Sequence, residues 1–153
     1  MTSTLLRELT TELELLIWTR QLQKVRFDEY ASLHFLSNAI SAMREATKTK
    51  LSPCGRYLMA HDGIYALCLG SIYLHGVLPV GQEGHKALVL QLASEMLELP
   101  ANDRHLILEA TKHVAAITCD YQEPVDDQAV GELVALGNRA IIQARYVYPE
   151  WFL

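Results

Sequence analysis

Arg56 and His61 are the first residues of this chain whose types and spacing could do chemistry, because four residues separate them. In such an Arg-x4-His pair, the imidazole moves a proton and the guanidinium stabilises the charge of a phosphorane-like transition state. Five positions along a helix correspond to about 500° of rotation, which leaves the two side chains about 140° apart. We expect convergence only if a partner subunit or a helix distortion helps. The alternative interpretation is a hydrogen-bonded histidine at the edge of the core.

Two further groups of residues could bind an anion. His85 and Lys86 follow Gly84 at the opening of a predicted helix, where free N–H groups and the positive end of the helix dipole attract negative charge. A capping or packing role for His85 is the alternative. The second group is the positive cluster of a later helix, which could contact phosphate or form a solvated face: Arg104, His105, Lys112 and His113.

Other sites are not indicated by the sequence. There is no Gly-x-Ser-x-Gly elbow and no phosphate-binding Gly-x4-Gly-Lys-[Ser/Thr] loop. Cys54, Cys68 and Cys119 are widely spaced and form no C-x-x-C pair, so we expect free, reduced thiols. We therefore predict no metal and no cofactor.

Composition restricts the class of protein. The 153 residues suit one domain, predicted to span 1–153, and the net charge of -5 argues against a domain built to grip duplex phosphate. Half of the residues are hydrophobic, which is more than a small monomer easily covers, so we expect a homo-oligomer. Charges interrupt the N-terminal segment and no apolar run approaches the roughly 20 residues of a membrane span. The prediction is a cytoplasmic protein without membrane contact.

Apolar periodicity predicts an all-α fold, an antiparallel bundle of five to six helices without a sheet. The first helix is expected over about residues 3–24, and the second begins at a cap formed by Asp28. Ser52 and Pro53 start a third helix that ends near Leu74, before a turn punctuated by glycines. Three later helices are predicted: one that carries Leu88 to Leu99, one capped by Asn102 or Asp103, and one from Asp126 or Asp127 to about Tyr148.

Three of these features together resemble the HEPN family of helical bundles, over roughly residues 33–146. One is the helix of small and aromatic residues, HDGIYALCLGSIYLHG, which ends in a glycine turn. Another is the Gly84-His85 opening of the next helix. The third is Asp120-Tyr121, followed by Pro124 and a final helix that starts with acidic residues. The resemblance implies a compact bundle of the kind found in toxin–antitoxin and phage-defence systems.

Active members of that family are metal-independent ribonucleases with an Arg-x4-6-His motif, or with Arg-Asn ahead of a tyrosine, assembled across a homodimer. At the corresponding place this chain reads AITCD before Tyr121, so only the tyrosine is retained. We therefore expect a degenerate member: a non-enzymatic homodimeric interaction or regulatory module. A nucleotidyltransferase-like protein is a candidate partner, and an RNA or a nucleotide a candidate ligand. One alternative is an endoribonuclease using Arg56, His61 and Tyr121, and another is a structural accessory subunit of a larger complex.

Overall fold

The computed structural model describes residues 5–48, 50–81, 85–119 and 125–153, and it confirms the all-α prediction. Within these residues, six α-helices account for most of the chain, with one small sheet. The helices are α1 (Thr11–Trp18), α2 (Glu29–Ala46), α3 (Pro53–Tyr73), α4 (Lys86–Met96), α5 (Ala101–Cys119) and α6 (Asp127–Val147). A 3₁₀ turn, Pro149–Phe152, follows α6.

The prediction of a first helix over residues 3–24 is wrong. Thr10 caps α1 by accepting a hydrogen bond from the backbone N–H of Leu13 at 3.1 Å, and the helix lasts eight residues. Arg20 then adopts a positive φ of 64°, which no helix accommodates. The apolar residues that indicated a longer helix instead reach the core from outside α1: Leu5 and Leu9 pack against it from the non-helical segment before α1, and Leu22 is buried in the strand after it.

The prediction that there is no sheet is also wrong. Strand β1 (Leu22–Lys24) pairs antiparallel with β2 (Val77–Pro79), and Leu22 lies opposite Pro79. Leu22 and Val77 are buried, so the ribbon closes one end of the core. Strands of three residues are too short for an alternating pattern to be visible in the sequence.

Most helix starts follow the predicted cap chemistry. Asp28, Ser52 and Asp126 each accept a backbone N–H with a side-chain oxygen, and Pro53 occupies the first turn of α3. Helix α5 does not follow the predicted cap chemistry. It begins at Ala101, so Asn102 and Asp103 lie inside its first turn, and Asp103 instead accepts hydrogen bonds from Arg139 of α6 at 2.8 and 3.3 Å.

Helix α3 is the centre of the bundle, and α2, α4 and α6 pack around it. Its glycines permit close approach: a Cβ at Gly63 would lie 2.9 Å from the Cβ of Ala42, and one at Gly70 would lie 2.6 Å from a ring carbon of Trp151. Trp151 is fully buried and donates its Nε1–H to the backbone oxygen of Ser32 at 2.8 Å. The 3₁₀ turn is thereby fixed against α2 and α3.

The segment before α1 is fastened to the end of α6. Arg7 donates to the carboxylate of Glu150 at 3.0 Å, and its guanidinium lies 5.2 Å from the ring centre of Tyr148. The hydroxyl of Tyr148 lies 3.0 Å from Nε2 of His75, whose Nδ1 contacts the backbone oxygen of Glu8. Burial lowers the pKa of His75 and raises the pKa of Tyr148 to about 12, so this connection consists of a neutral ring and a neutral phenol near pH 7. It joins the segment that precedes α1 to the residues that follow α3 and α6.

Candidate functional site

His61 lies on α3 and is buried, with 1% of its surface exposed. Its Nε2 lies 3.0 Å from Oγ1 of Thr111, and that hydroxyl itself donates to the backbone oxygen of Ile107 at 2.8 Å. Nε2 must therefore carry the proton, which leaves Nδ1 as a buried acceptor without a hydrogen-bond partner. Burial, reinforced by the charge of Lys86, lowers the pKa of His61 to about 4. The ring of His61 is therefore neutral near pH 7 and closed off from solvent.

Arg56 is engaged elsewhere on the same helix. Its Nε donates to the backbone oxygen of Ala46 at 2.7 Å, which satisfies a carbonyl at the end of α2. Its guanidinium also lies 3.6 Å from the carboxylate of Asp127, at the start of α6. Arg56 thus ties three helices together, and its bonding partners are not those of His61.

His85 and Lys86 open α4 as predicted, but neither forms an anion cradle among the described residues. His85 occupies the cap position without a side-chain capping hydrogen bond. The ammonium of Lys86 lies 5.0 Å from the centre of the Tyr65 ring, in a cation–π contact. Gly84 lies outside the described residues, as do Asp120, Tyr121 and Pro124, so the motifs that carry the family resemblance are covered only in part.

The positive cluster of α5 is divided between different faces. Arg104 faces α4, where its guanidinium lies 4.0 Å from the carboxylate of Glu95, and His105 is exposed. Lys112 and His113 line another cavity, between α5 and α6. The four residues therefore do not form one phosphate-binding surface.

The cavity beside Lys112 and His113 is an open cleft of about 450 Å³ among α3, α5 and α6. Tyr57 forms one wall, with its ring 5.1 Å from that of His113. Burial and then Glu132 raise the pKa of Tyr57, which keeps the phenol protonated. Lys112 forms an ion pair with Glu109 at 3.6 Å, so among Lys112, Glu109 and Glu132 two carboxylates accompany one ammonium. This charge balance does not favour an anion.

A larger concave surface lies between α2 and α6 and has a volume of about 620 Å³. We call it the α2–α6 groove. Its walls are mostly apolar, and its charged side chains are two arginines, Arg44 and Arg145. The other residues that line it are Leu33, Leu36, Ile40, Met43, Thr47, Asn138, Ile141, Ile142 and the turn residues Trp151, Phe152 and Leu153.

Large apolar side chains of the groove remain in solvent. Ile142 is 69% exposed and Leu33 is 41% exposed. Tyr30 and Tyr146, at the ends of α2 and α6 that lie near the turn, are also exposed. Monomeric surfaces scatter single apolar residues, whereas a concave group of them indicates an interaction site. The groove was not predicted from the sequence, because Leu33 and Ile141 follow the helical periodicity that is typical of residues facing the core. The hydrophobic residue next to Ile141, Ile142, was the available signal.

Other classes of site find no support among the described residues. They contain no cluster of His, Cys, Asp or Glu suited to a metal ion, and none of their helices is both long and apolar enough to cross a bilayer. Cys54 and Cys68 are free thiols, whereas the side chain of Cys119, for which the same was predicted, lies outside the described part of the structure. Comparison of the chain with protein-family models, with curated proteins and with solved structures finds no match.

Proposed function

We propose that this chain is a non-enzymatic, HEPN-like interaction module that self-associates through the α2–α6 groove. The observation that carries the proposal is the exposed apolar surface of that groove, with Ile142 at its rim. Full burial of one such aliphatic side chain is worth about 1.5–3 kcal/mol. Burying several of them accounts for the hydrophobic excess of the composition.

The surroundings of Arg56 and His61 support the non-enzymatic part of the proposal. Each residue is occupied by structural bonds, and His61 is closed off from solvent. Loss of a single preorganised electrostatic donor reduces an enzymatic rate by about a hundredfold or more. An active site that lacks both an available guanidinium and an accessible imidazole retains little of this stabilisation.

Substitution of Ile142 by Asp tests the groove. A carboxylate at this rim must be desolvated in the complex, so we expect the dissociation constant of the dimer to rise by at least about tenfold. Leu108→Asp is the control, since Leu108 is an exposed leucine of α5 that lies outside the groove. Sedimentation velocity measures both variants, and circular dichroism verifies that they remain helical. Equal self-association of the two variants would overturn the role of the groove.

Incubation with a mixed RNA pool tests catalytic silence. We expect intact RNA with the wild-type chain and with His61→Ala. RNA cleavage by the wild type that disappears in His61→Ala would instead establish the endoribonuclease hypothesis.

A further inference from the structure

We propose that the occupant of the α2–α6 groove is helix α1 of a second copy of this chain. The inference rests on the proposed self-association and specifies which segment mediates it. Helix α1 displays an apolar pair, Leu15 at 59% exposure and Trp18 at 83% exposure. The two residues are three positions apart and therefore share one face of the helix. Exposed tryptophans with an aliphatic neighbour are typical anchors of protein interfaces.

Charge complementarity favours α1 as the occupant of the groove. Glu12 lies three positions before Leu15, and Glu14 lies four positions before Trp18, so both carboxylates flank the apolar pair. The groove offers Arg44 and Arg145. Among the described residues, none of these four charged side chains forms an ion pair within its own chain.

The same charges disfavour a groove-to-groove dimer. Two copies of the groove facing each other would enclose four guanidinium groups and no acidic side chain from the described lining of the groove. Juxtaposed like charges cost free energy and exclude partners of the wrong type. Helix α1, whose acidic residues flank an apolar pair, would instead place carboxylates beside the guanidinium groups of the groove.

Helix α1 is held ready for such a contact. Its own Leu13 is fully buried in the core, and Thr10 caps its first turn. Arg7 anchors the preceding segment to the end of α6, next to the turn that forms one end of the groove. Because α1 is already folded and fastened, little ordering entropy is lost when it docks.

A reciprocal exchange gives a closed dimer. Stable interfaces bury roughly 800 Å² per partner, whereas a buried aromatic side chain covers roughly 150–250 Å². One α1–groove contact is centred on a single aromatic side chain, and two contacts related by a two-fold axis double the buried area. Reciprocity also stops growth at the dimer, since a one-way contact would propagate into a filament.

Charge reversal tests the pairing without removing apolar surface. The α1 variant carries Glu12→Arg and Glu14→Arg, the groove variant carries Arg44→Glu and Arg145→Glu, and a third chain carries all four changes. We expect each double variant to dissociate at least about tenfold more readily and the quadruple variant to regain most of the wild-type affinity. Sedimentation velocity at two salt concentrations measures the three dissociation constants, and Trp18→Ala provides an uncharged test of the same helix.

Each outcome of these measurements either supports or refutes the pairing of α1 with the groove. If Ile142→Asp abolishes the dimer while the α1 variant and Trp18→Ala dimerise normally, the groove binds another surface, and only the present inference fails. If the wild type is monomeric, the proposed self-association fails as well. Both double variants weakened without recovery in the quadruple chain would also refute the pairing of α1 with the groove.

Discussion

Protonation of His61 is expected to destabilise the fold as the pH falls. In the native state the Nδ1 of His61 has no hydrogen-bond partner, and the pKa is lowered to about 4 from an ordinary value near 6.5. The unfolded chain therefore binds a proton at this ring between those two pH values, while the native chain does not. Its contribution to the free energy of unfolding is greatest above the unfolded pKa and declines as the pH drops toward the native one.

The size of the effect follows from linkage. Each unit of difference in bound protons is worth about 1.4 kcal/mol per pH unit, and integration from about pH 7 to about pH 4.5 gives a loss of roughly 2 kcal/mol from this residue. Urea denaturation at the two pH values measures the loss. His61→Gln is the comparison, because the amide does not titrate and has both a donor and an acceptor. His75, whose pKa is also lowered by burial, acts in the same direction and cancels when the two chains are compared.

The decisive quantity is the difference in pH dependence between the two chains. We expect the wild type to lose roughly 2 kcal/mol more than His61→Gln over this range. An equal loss in both chains would show that His61 titrates normally, which implies an accessible imidazole. The case against a catalytic role for His61 would then fail.

Two further changes test packing and reactivity. Gly70→Ala is expected to cost about 1–3 kcal/mol in urea denaturation, because the new methyl group would meet the Trp151 ring; Gly131→Ala, which meets nothing within 4 Å, should not destabilise the protein, and an equal loss in both would contradict this account. Cys68 is buried, and burial raises its pKa to about 12. In a chain whose other cysteines are replaced by serine, it should react with a thiol reagent only after unfolding, so rapid labelling of the native protein would refute the described core.

Most of the helices of this fold could be predicted from local sequence patterns. Caps such as Ser52 and Asp126 start helices through hydrogen bonds within a few residues, so a sequence pattern suffices to find them. The secondary structure of the N-terminal region could not be predicted in this way. Its leucines have helical spacing, yet β1 pairs with β2 across more than fifty residues, and no local signal encodes that partnership.

In the candidate site, too, some features follow from local sequence patterns and others depend on contacts between distant parts of the chain. The divergence of Arg56 and His61 could be predicted from the rotation per residue of a helix, and the structure places their bonding partners in different parts of the bundle. The division of the cluster around Arg104 and Lys112 depends on how α5 is oriented between α4 and α6. The α2–α6 groove depends on the turn at Trp151, which brings distant parts of the chain together.

The molar mass of the wild-type chain in solution tests the central claim most directly. One chain has a mass of 17.2 kDa, and multi-angle light scattering at micromolar concentrations should give twice that value. A closed, reciprocal dimer also predicts no larger species as the concentration rises. The mass of a single chain throughout the micromolar range would contradict self-association through the groove, and masses that grow steadily with concentration would contradict its closure into a dimer.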